Sequence, residues 1–258
     1  MLSLTKRQKI AISTFFLAAA IFLLPNLTPD YKLYALGAII LLSYLLSAWS
    51  IFSDLSGLEF LTLFVLPVTL TSSFALFVFK FDPEPFLRLL LVGVFGTVYY
   101  TILLAENIFN VSAERNIPLL RAATTVGYLT SLFVSFAFFS LLFSLGLWGW
   151  AFSLFVFGVG FFLFGQAFWQ INLEETDKKT LFRDCLVCAL ILAEFAWVLT
   201  FWPLSPAKVG LALAALVYVL LGIVQHLAKE DLSSRAFVEY LFVSLCVFFL
   251  LSATTSWG

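Results

Sequence analysis

The chain has 258 residues, of which 62% are hydrophobic and 11% are charged, and its formal net charge is −1. Because a soluble domain carries roughly 25% charged residues, this composition cannot cover a water-facing surface and predicts an integral membrane protein. The near-neutral charge offers no basic surface, so nucleic acid is not expected as a partner. One histidine and three cysteines are too few for a multi-histidine metal site or a disulfide framework, and no metal or cofactor is predicted.

Long apolar runs recur along the chain, and their length matches the roughly 20 residues that a helix needs to cross a bilayer. A β-barrel would instead alternate polar and apolar residues over strands of about ten residues. We therefore predict an all-α, polytopic transmembrane helix bundle that forms a single integral membrane domain over residues 1–258. Pro67 falls inside the third run and predicts a kink there. The nine predicted spans are 10–27, 33–53, 58–79, 86–109, 118–145, 148–171, 183–202, 206–226 and 236–254.

Basic residues predict the orientation of these spans. With the amino terminus inside, the inner connections hold ten lysines and arginines and the outer connections hold four. An excess of basic residues on the inner side is the rule for membrane proteins, so we expect the N-terminus inside and the C-terminus outside. The first run is short and follows Lys6, Arg7 and Lys9, as in a signal peptide, but we expect it to be retained as an uncleaved anchor.

Polar side chains recur at helical spacing in two of the spans. Ser43, Ser47 and Ser50 of the second span are four and three residues apart, and Tyr128 and Ser131 of the fifth span are three apart. Such spacing places each set on one helical face. Small hydroxylated residues permit close helix packing and bond across helices, whereas the same faces can line a path for a solute. The sequence leaves both interpretations open.

Small residues predict close helix contacts toward the C-terminus. Gly210, Ala214 and Gly222 lie on one face of the eighth span, at multiples of four residues. This pattern is typical of helices whose backbones approach closely in a membrane. The short connection from Pro203 to Pro206 predicts that the seventh and eighth spans form an antiparallel hairpin.

Glu194 is the polar residue that the sequence places deepest. It lies ten residues beyond Asp184, or roughly 15 Å along a helix, which predicts a position near the bilayer centre. An ionised carboxylate costs several kcal/mol there, so we expect Glu194 to be protonated or to have a partner inside the bundle. The hydroxyl of Tyr218, at a matching depth from His226, is the predicted partner. A neutral packing role and a role in proton or cation handling both fit.

A second group of polar residues is predicted at the inner face, where the fourth span ends and the fifth and ninth begin. Glu106 with Arg121 is expected to form an ion pair or to bind a lipid head group, and solvation at the interface is the alternative. The group consists of Glu106, Asn107, Asn110, Arg121, Arg235 and Glu239.

Four segments of the chain have a family resemblance. They are LAENIFNVSAERNIPLLRAATTVGYL from Leu104, WPLSP from Trp202, YVLLGIVQHL from Tyr218 and the terminal TTSWG. Together they resemble an uncharacterised family of multi-spanning bacterial membrane proteins known only as a domain of unknown function. The resemblance implies a multi-pass protein of the bacterial cytoplasmic (inner) membrane, and it implies no activity, cofactor or catalytic residue.

Three functions are compatible with these features. The lack of a catalytic constellation favours a non-enzymatic membrane scaffold or assembly subunit, with the bilayer and other membrane proteins as partners. Alternatively, a small transporter or lipid-handling protein would use Glu194 and a cavity lined by Ser47, Tyr128 and Ser131. A third possibility is an intramembrane enzyme that acts on a lipid-linked substrate at the inner face, which requires Glu106 and Glu239 to converge around one groove.

Overall fold

The structure is a computed structural model that describes residues 4–51, 63–112, 119–171, 178–228 and 233–255. Over these residues the regular structure is helical, with nine α-helices, one short 3-10 helix at Leu24–Asn26 and no strand. This confirms the predicted all-α class. The α-helices are α1 Lys6–Leu23, α2 Pro29–Ile51, α3 Val65–Phe81, α4 Pro85–Ser112, α5 Leu120–Ser144, α6 Gly149–Ile171, α7 Lys178–Leu199, α8 Pro206–Ala228 and α9 Ser234–Thr254.

Seven helical segments are long and apolar enough, by length and composition, to cross a membrane. Together they show a multi-pass membrane protein that contacts the lipid bilayer. Of the other two helices, α3 has only 17 residues, and α7 carries five charged side chains along its length. Residues 52–53 and 58–62 of the second and third predicted spans lie outside the described residues. The seven segments are Lys6–Asn26, Pro29–Ile51, Pro85–Val111, Leu120–Ser144, Gly149–Gln170, Pro206–Leu227 and Ser234–Thr254.

Local sequence explains where several helices begin. Thr5 caps α1: its hydroxyl accepts a hydrogen bond from the amide of Gln8, and the Gln8 side chain accepts one from the amide of Thr5. Pro29, Pro85 and Pro206 each occupy the first position of a helix, where the missing N–H would have had no helical partner.

Pro67 also lies in a first turn, because α3 begins at Val65. Pro67 therefore interrupts no hydrogen bond of α3, and because residues 52–62 lie outside the described residues, the kink predicted there stays a prediction. A proline kinks a helix by removing a hydrogen bond from its interior, and the third position of a helix has no such bond to lose.

The helices group into two compact units, and the first comprises Met1–Thr130. Within it α1 packs against α2, α3 and α4, while α3 packs against both α2 and α4. Phe95 and Tyr99 of α4 and Leu17 and Ile21 of α1 are all fully buried. The ring centroids of Phe95 and Tyr99 are 5.3 Å apart. These four side chains of α1 and α4 are part of the core of this unit.

A buried arginine fastens one end of the first unit. The Arg88 guanidinium, on the first turn of α4, donates to the carbonyl oxygens of Phe22 (3.3 Å) and Pro83 (3.0 Å). It also donates to Oδ1 of Asn26 and to Oδ1 of Asp82, both at 3.1 Å. Because its donors are used in joining α1 to the α3–α4 connection, Arg88 has a structural role.

The second unit comprises Ser131–Gly258. Its α6 and α7 run antiparallel, since Gly149 lies against Thr200 at one end of the pair and Gly165 lies beside Cys185 towards the other. The Ser153 hydroxyl donates to the carbonyl oxygen of Ala193 between them. Helix α8 packs on α6, α7 and α9, which confirms a contact between the seventh and eighth predicted spans.

Two glycines of α8 mark close helix contacts in the second unit. A Cβ atom at Gly210 would lie 2.7 Å from the Phe136 carbonyl oxygen and would overlap the Ser140 hydroxyl of α5. A Cβ atom at Gly222 would overlap the Tyr240 ring of α9. The close helix approach predicted for the small residues of α8 is therefore found at these two positions, where the neighbours are α5 and α9.

Candidate functional site

The serine stripe of α2 faces the interior of the first unit. Ser43 and Ser47 are fully buried, and the Ser43 hydroxyl lies 2.9 Å from that of Thr71 on α3. The Ser47 hydroxyl donates to the Ser43 carbonyl oxygen at 2.7 Å and lies 2.8 Å from the hydroxyl of Tyr99. Because the proton of Ser47 is already used, Tyr99 donates in this second bond. The shared face predicted for these serines is confirmed, and hydrogen bonds to α3 and α4 occupy it.

The other half of the predicted polar lining lies on α5. Ser131 is buried, and its carbonyl oxygen accepts a hydrogen bond of 2.6 Å from the Ser135 hydroxyl. Tyr128 is half-buried one turn earlier. A solute path that these residues share with Ser47 stays a prediction.

The predicted inner-face residues of α4 form a buried polar cluster. Glu106 and Asn110 are 1% and 0% exposed and lie one turn apart on the same helical face, with the half-buried Asn107 beside them. Neither polar atom of the Asn110 carboxamide has a hydrogen-bond partner within the described ranges, and the same holds for Oδ1 of Asn107. The predicted Glu106–Arg121 pair is not among the ion pairs of the described residues, and Arg121 is exposed.

The inner-face residues of α9 have a different environment. Arg235 and Glu239 are both exposed on its first turns, and the Tyr218 hydroxyl of α8 donates to Oε1 of Glu239 at 2.7 Å. The Tyr218 ring also meets that of Tyr240 edge-on, with centroids 5.5 Å apart. The predicted partnership of Tyr218 with Glu194 is therefore wrong. Matching depths along two helices did not reveal that α8 turns Tyr218 toward α9.

Glu194 lies instead in an open groove of about 610 Å³ formed by α6 and α7. Each helix supplies residues at positions i, i+3, i+4 and i+7, so the groove follows one face of each helix for two turns. Glu194 is exposed, and it has no hydrogen bond or ion pair within the part of the chain that the structure describes. The lining residues are Trp150, Ser153, Leu154, Phe157, Leu190, Ala193, Glu194 and Trp197.

The helix bounds also change the expected depth of Glu194. Helix α7 ends at Leu199, so Glu194 lies only five residues, or about 7.5 Å, from that end. Trp150 and Trp197 are close to the same end, and tryptophans concentrate where a membrane meets water. Glu194 is therefore nearer to one end of its helix than its distance from Asp184 predicts.

Neither Tyr99 nor the lining of the Glu194 groove was predicted from the sequence. Tyr99 lies seven residues before Glu106, which places both on one face of α4, and this spacing was the available signal. The α7 side of the groove could also have been predicted, because helical spacing places Leu190, Ala193 and Trp197 around Glu194. Nothing in the sequence indicates that α6 supplies the opposite side.

The fold and these sites define a multi-pass helical membrane protein with hydrogen-bonded serines inside its first unit and an outward-facing, largely apolar groove that contains Glu194 on its second. A family model described as a protein of unknown function (DUF5656) matches residues 32–254. The chain therefore belongs to this family, which confirms its resemblance to an uncharacterised family of membrane proteins. No curated protein and no solved structure matches the chain.

Proposed function

We propose that this protein is a non-enzymatic membrane scaffold or assembly subunit of a bacterial cytoplasmic membrane, with its N-terminus inside and its C-terminus outside. The observation that carries this proposal is the hydrogen bonding of the α2 serine stripe. Ser43 and Ser47 bond to Thr71 and Tyr99 in the interior of the first unit, so their hydroxyls join helices and are not free to bind a solute.

The hydroxyls of α3 support the same conclusion. Thr69, Thr71, Ser72 and Ser73 each donate to the carbonyl oxygen four residues earlier in the helix, at 2.7–2.8 Å. A solute path needs polar groups that can exchange their hydrogen bonds with the solute or with water. Here the polar groups are satisfied within the protein, as expected of helices that pack through small polar residues.

Thiol accessibility in native membranes tests this proposal. In a background in which Cys185, Cys188 and Cys246 are replaced by alanine, Ser47→Cys should resist a membrane-impermeant methanethiosulfonate reagent. Asp30→Cys, on the exposed first turn of the same helix, should react within minutes and serves as the matched control. If Ser47→Cys reacts as fast as Asp30→Cys in correctly folded protein, the stripe faces water and the scaffold proposal fails.

A second candidate function, a small transporter that handles protons or cations, is favoured by the buried cluster on α4. The Asn110 carboxamide, one turn from Glu106, has no hydrogen-bond partner among the described residues, and such a buried group is costly unless something binds it. In proteoliposomes, collapse of an imposed pH gradient by the wild type but not by Glu106→Gln would favour this function. The enzyme hypothesis requires Glu106 and Glu239 to converge around one groove. These residues lie in different units, and the hypothesis stays a prediction.

A further inference from the structure

We propose that the groove between α6 and α7 binds one face of a partner's transmembrane helix, and that a lysine or arginine of this helix pairs with Glu194. The inference rests on the proposed function of an assembly subunit, and it names the kind of partner and the place where it binds.

The shape of the groove suits a helix. Its floor contains the small residues Ser153 and Ala193, which a hydrogen bond joins, and larger side chains such as Trp150, Phe157 and Trp197 rise around them. Two parallel rows of large residues over a small-residue floor let a third helix pack its own ridge between two helices. The groove residues span eight positions on each helix, which is seven steps or roughly 10 Å and equals two turns of a bound helix.

The groove lies beside a candidate membrane span. Helix α6 is one of the seven candidate spans, and α7, which is not one of them, runs antiparallel along it. Leu154, Leu190 and Trp197 are 62%, 44% and 44% exposed, so the groove faces outward from the second unit. An apolar outward surface beside a spanning helix meets lipid or another membrane protein.

The negative charge of Glu194 favours a partner helix over lipid as the occupant of the groove. An unpaired carboxylate is costly in an apolar groove, and within the described residues nothing pairs with Glu194. The nearest basic residue of the same helix is Arg183, which lies about 16 Å away along the axis and bonds to Asp184 instead. A cation from outside the chain would complete the site, and its methylene stem would lie against the two indole rings, which also attract cations.

A partner helix supplies this cation at a fixed depth. Because Glu194 lies five residues from the end of α7, the matching lysine or arginine should lie about one to two turns from the end of its own helix. Long basic side chains are tolerated at this depth because they reach toward the interface. The large side chains over a small-residue floor fit the ridge of a helix, whereas a lipid head group has no such ridge to pack between them.

The test uses a synthetic leucine–alanine helix of 23 residues with one lysine five residues from one end and a dansyl label. Energy transfer from the protein's tryptophans in vesicles reports binding. We expect the lysine helix to bind the wild type at least tenfold more tightly than Glu194→Gln, while a glutamine version binds both equally. Glu84→Gln, which removes an exposed carboxylate outside the groove, should bind the lysine helix as the wild type does.

Charge reversal gives an independent readout. Glu194→Lys should lose the lysine helix and bind a version with glutamate at the same position. Equal binding of the lysine and glutamine helices to folded wild-type protein would overturn the inference. So would selective, Glu194-dependent quenching by brominated ethanolamine lipid with no helix binding, since the groove would then be a lipid site. If Ser47→Cys remains protected in either case, only this inference fails and the scaffold proposal stands.

Discussion

The hydrogen bond between Tyr99 and Ser47 gives the sharpest test of how the first unit is held together. Tyr99→Phe removes the hydroxyl and leaves the ring packing against Phe95 unchanged. Both Tyr99 and Ser47 are fully buried, so water does not replace the lost partner. Ser47 still donates to the Ser43 carbonyl oxygen, and the variant therefore leaves an acceptor unpaired but no donor.

These facts set the size of the effect. A buried hydrogen bond contributes about 0.5–1.5 kcal/mol to stability, and bonds between membrane helices average about 0.6 kcal/mol. We expect Tyr99→Phe to lower the free energy of unfolding by about 1 kcal/mol. In a double-mutant cycle with Ser47→Ala, about 0.6 kcal/mol of this loss should be shared.

The assay is reversible unfolding by sodium dodecyl sulfate in mixed micelles, followed by circular dichroism. Tyr100→Phe is the matched control, because Tyr100 is the next residue of α4, is half-buried, and has no hydrogen bond within the described ranges. It should change the free energy of unfolding by less than about 0.5 kcal/mol. Equal effects of the two variants, or a coupling energy near zero, would refute the assignment of Tyr99 to a stabilising bond.

Three further variants should change the same free energy of unfolding. Gly210→Ala should lower it by about 1–3 kcal/mol, because the new methyl group would overlap the Ser140 hydroxyl. Asn110→Leu should raise it by about 1–3 kcal/mol, since leucine has a similar size and removes a buried carboxamide that has no partner within the described ranges. Arg88→Met should lower it by about 3 kcal/mol, because the acceptors of a buried cation are left unpaired.

Each of these variants has a control or a contradicting outcome. Gly37→Ala, where a methyl group meets nothing within 4 Å, should be neutral or stabilising, and an equal loss at Gly37 would contradict the close contact of α5 and α8. A loss of stability in Asn110→Leu would show that the carboxamide holds a ligand. Lys32→Met removes a partly exposed cation 3.8 Å from Asp82 and should cost under about 1 kcal/mol. If Arg88→Met lowers the free energy of unfolding by as little as Lys32→Met does, the structural role given to Arg88 is contradicted.

The existence of each helix was predictable, because a run of some 20 apolar residues has few alternatives to a helix in a membrane. Pro67 shows where this reasoning stops. The hydropathy of the third run continues upstream of Val65, so the sequence did not indicate that α3 begins there, two residues before the proline.

For the polar sites, the sequence predicted which residues share one face of a helix, but not which residues of other helices they contact. Spacing placed Ser43 and Ser47 on one face correctly, but their partner Tyr99 is 52 residues away in the chain and belongs to another helix. The predicted pairing of Glu194 with Tyr218 was wrong for the same reason. Spacing determines which residues share a face of one helix, whereas the rotation of a helix toward its neighbours depends on the packing of the whole unit.

Whether the intramembrane hydroxyls serve packing is tested by fluorine-19 NMR of 3-fluorotyrosine placed at position 99 in lipid nanodiscs. We expect the chemical shift to be the same in H₂O and D₂O, and we expect no broadening by a water-soluble gadolinium chelate. The same probe at Tyr34, which is 77% exposed on the second turn of α2, should respond to both. A response at Tyr99 as large as that at Tyr34 would show that water reaches the serine stripe and would contradict the account.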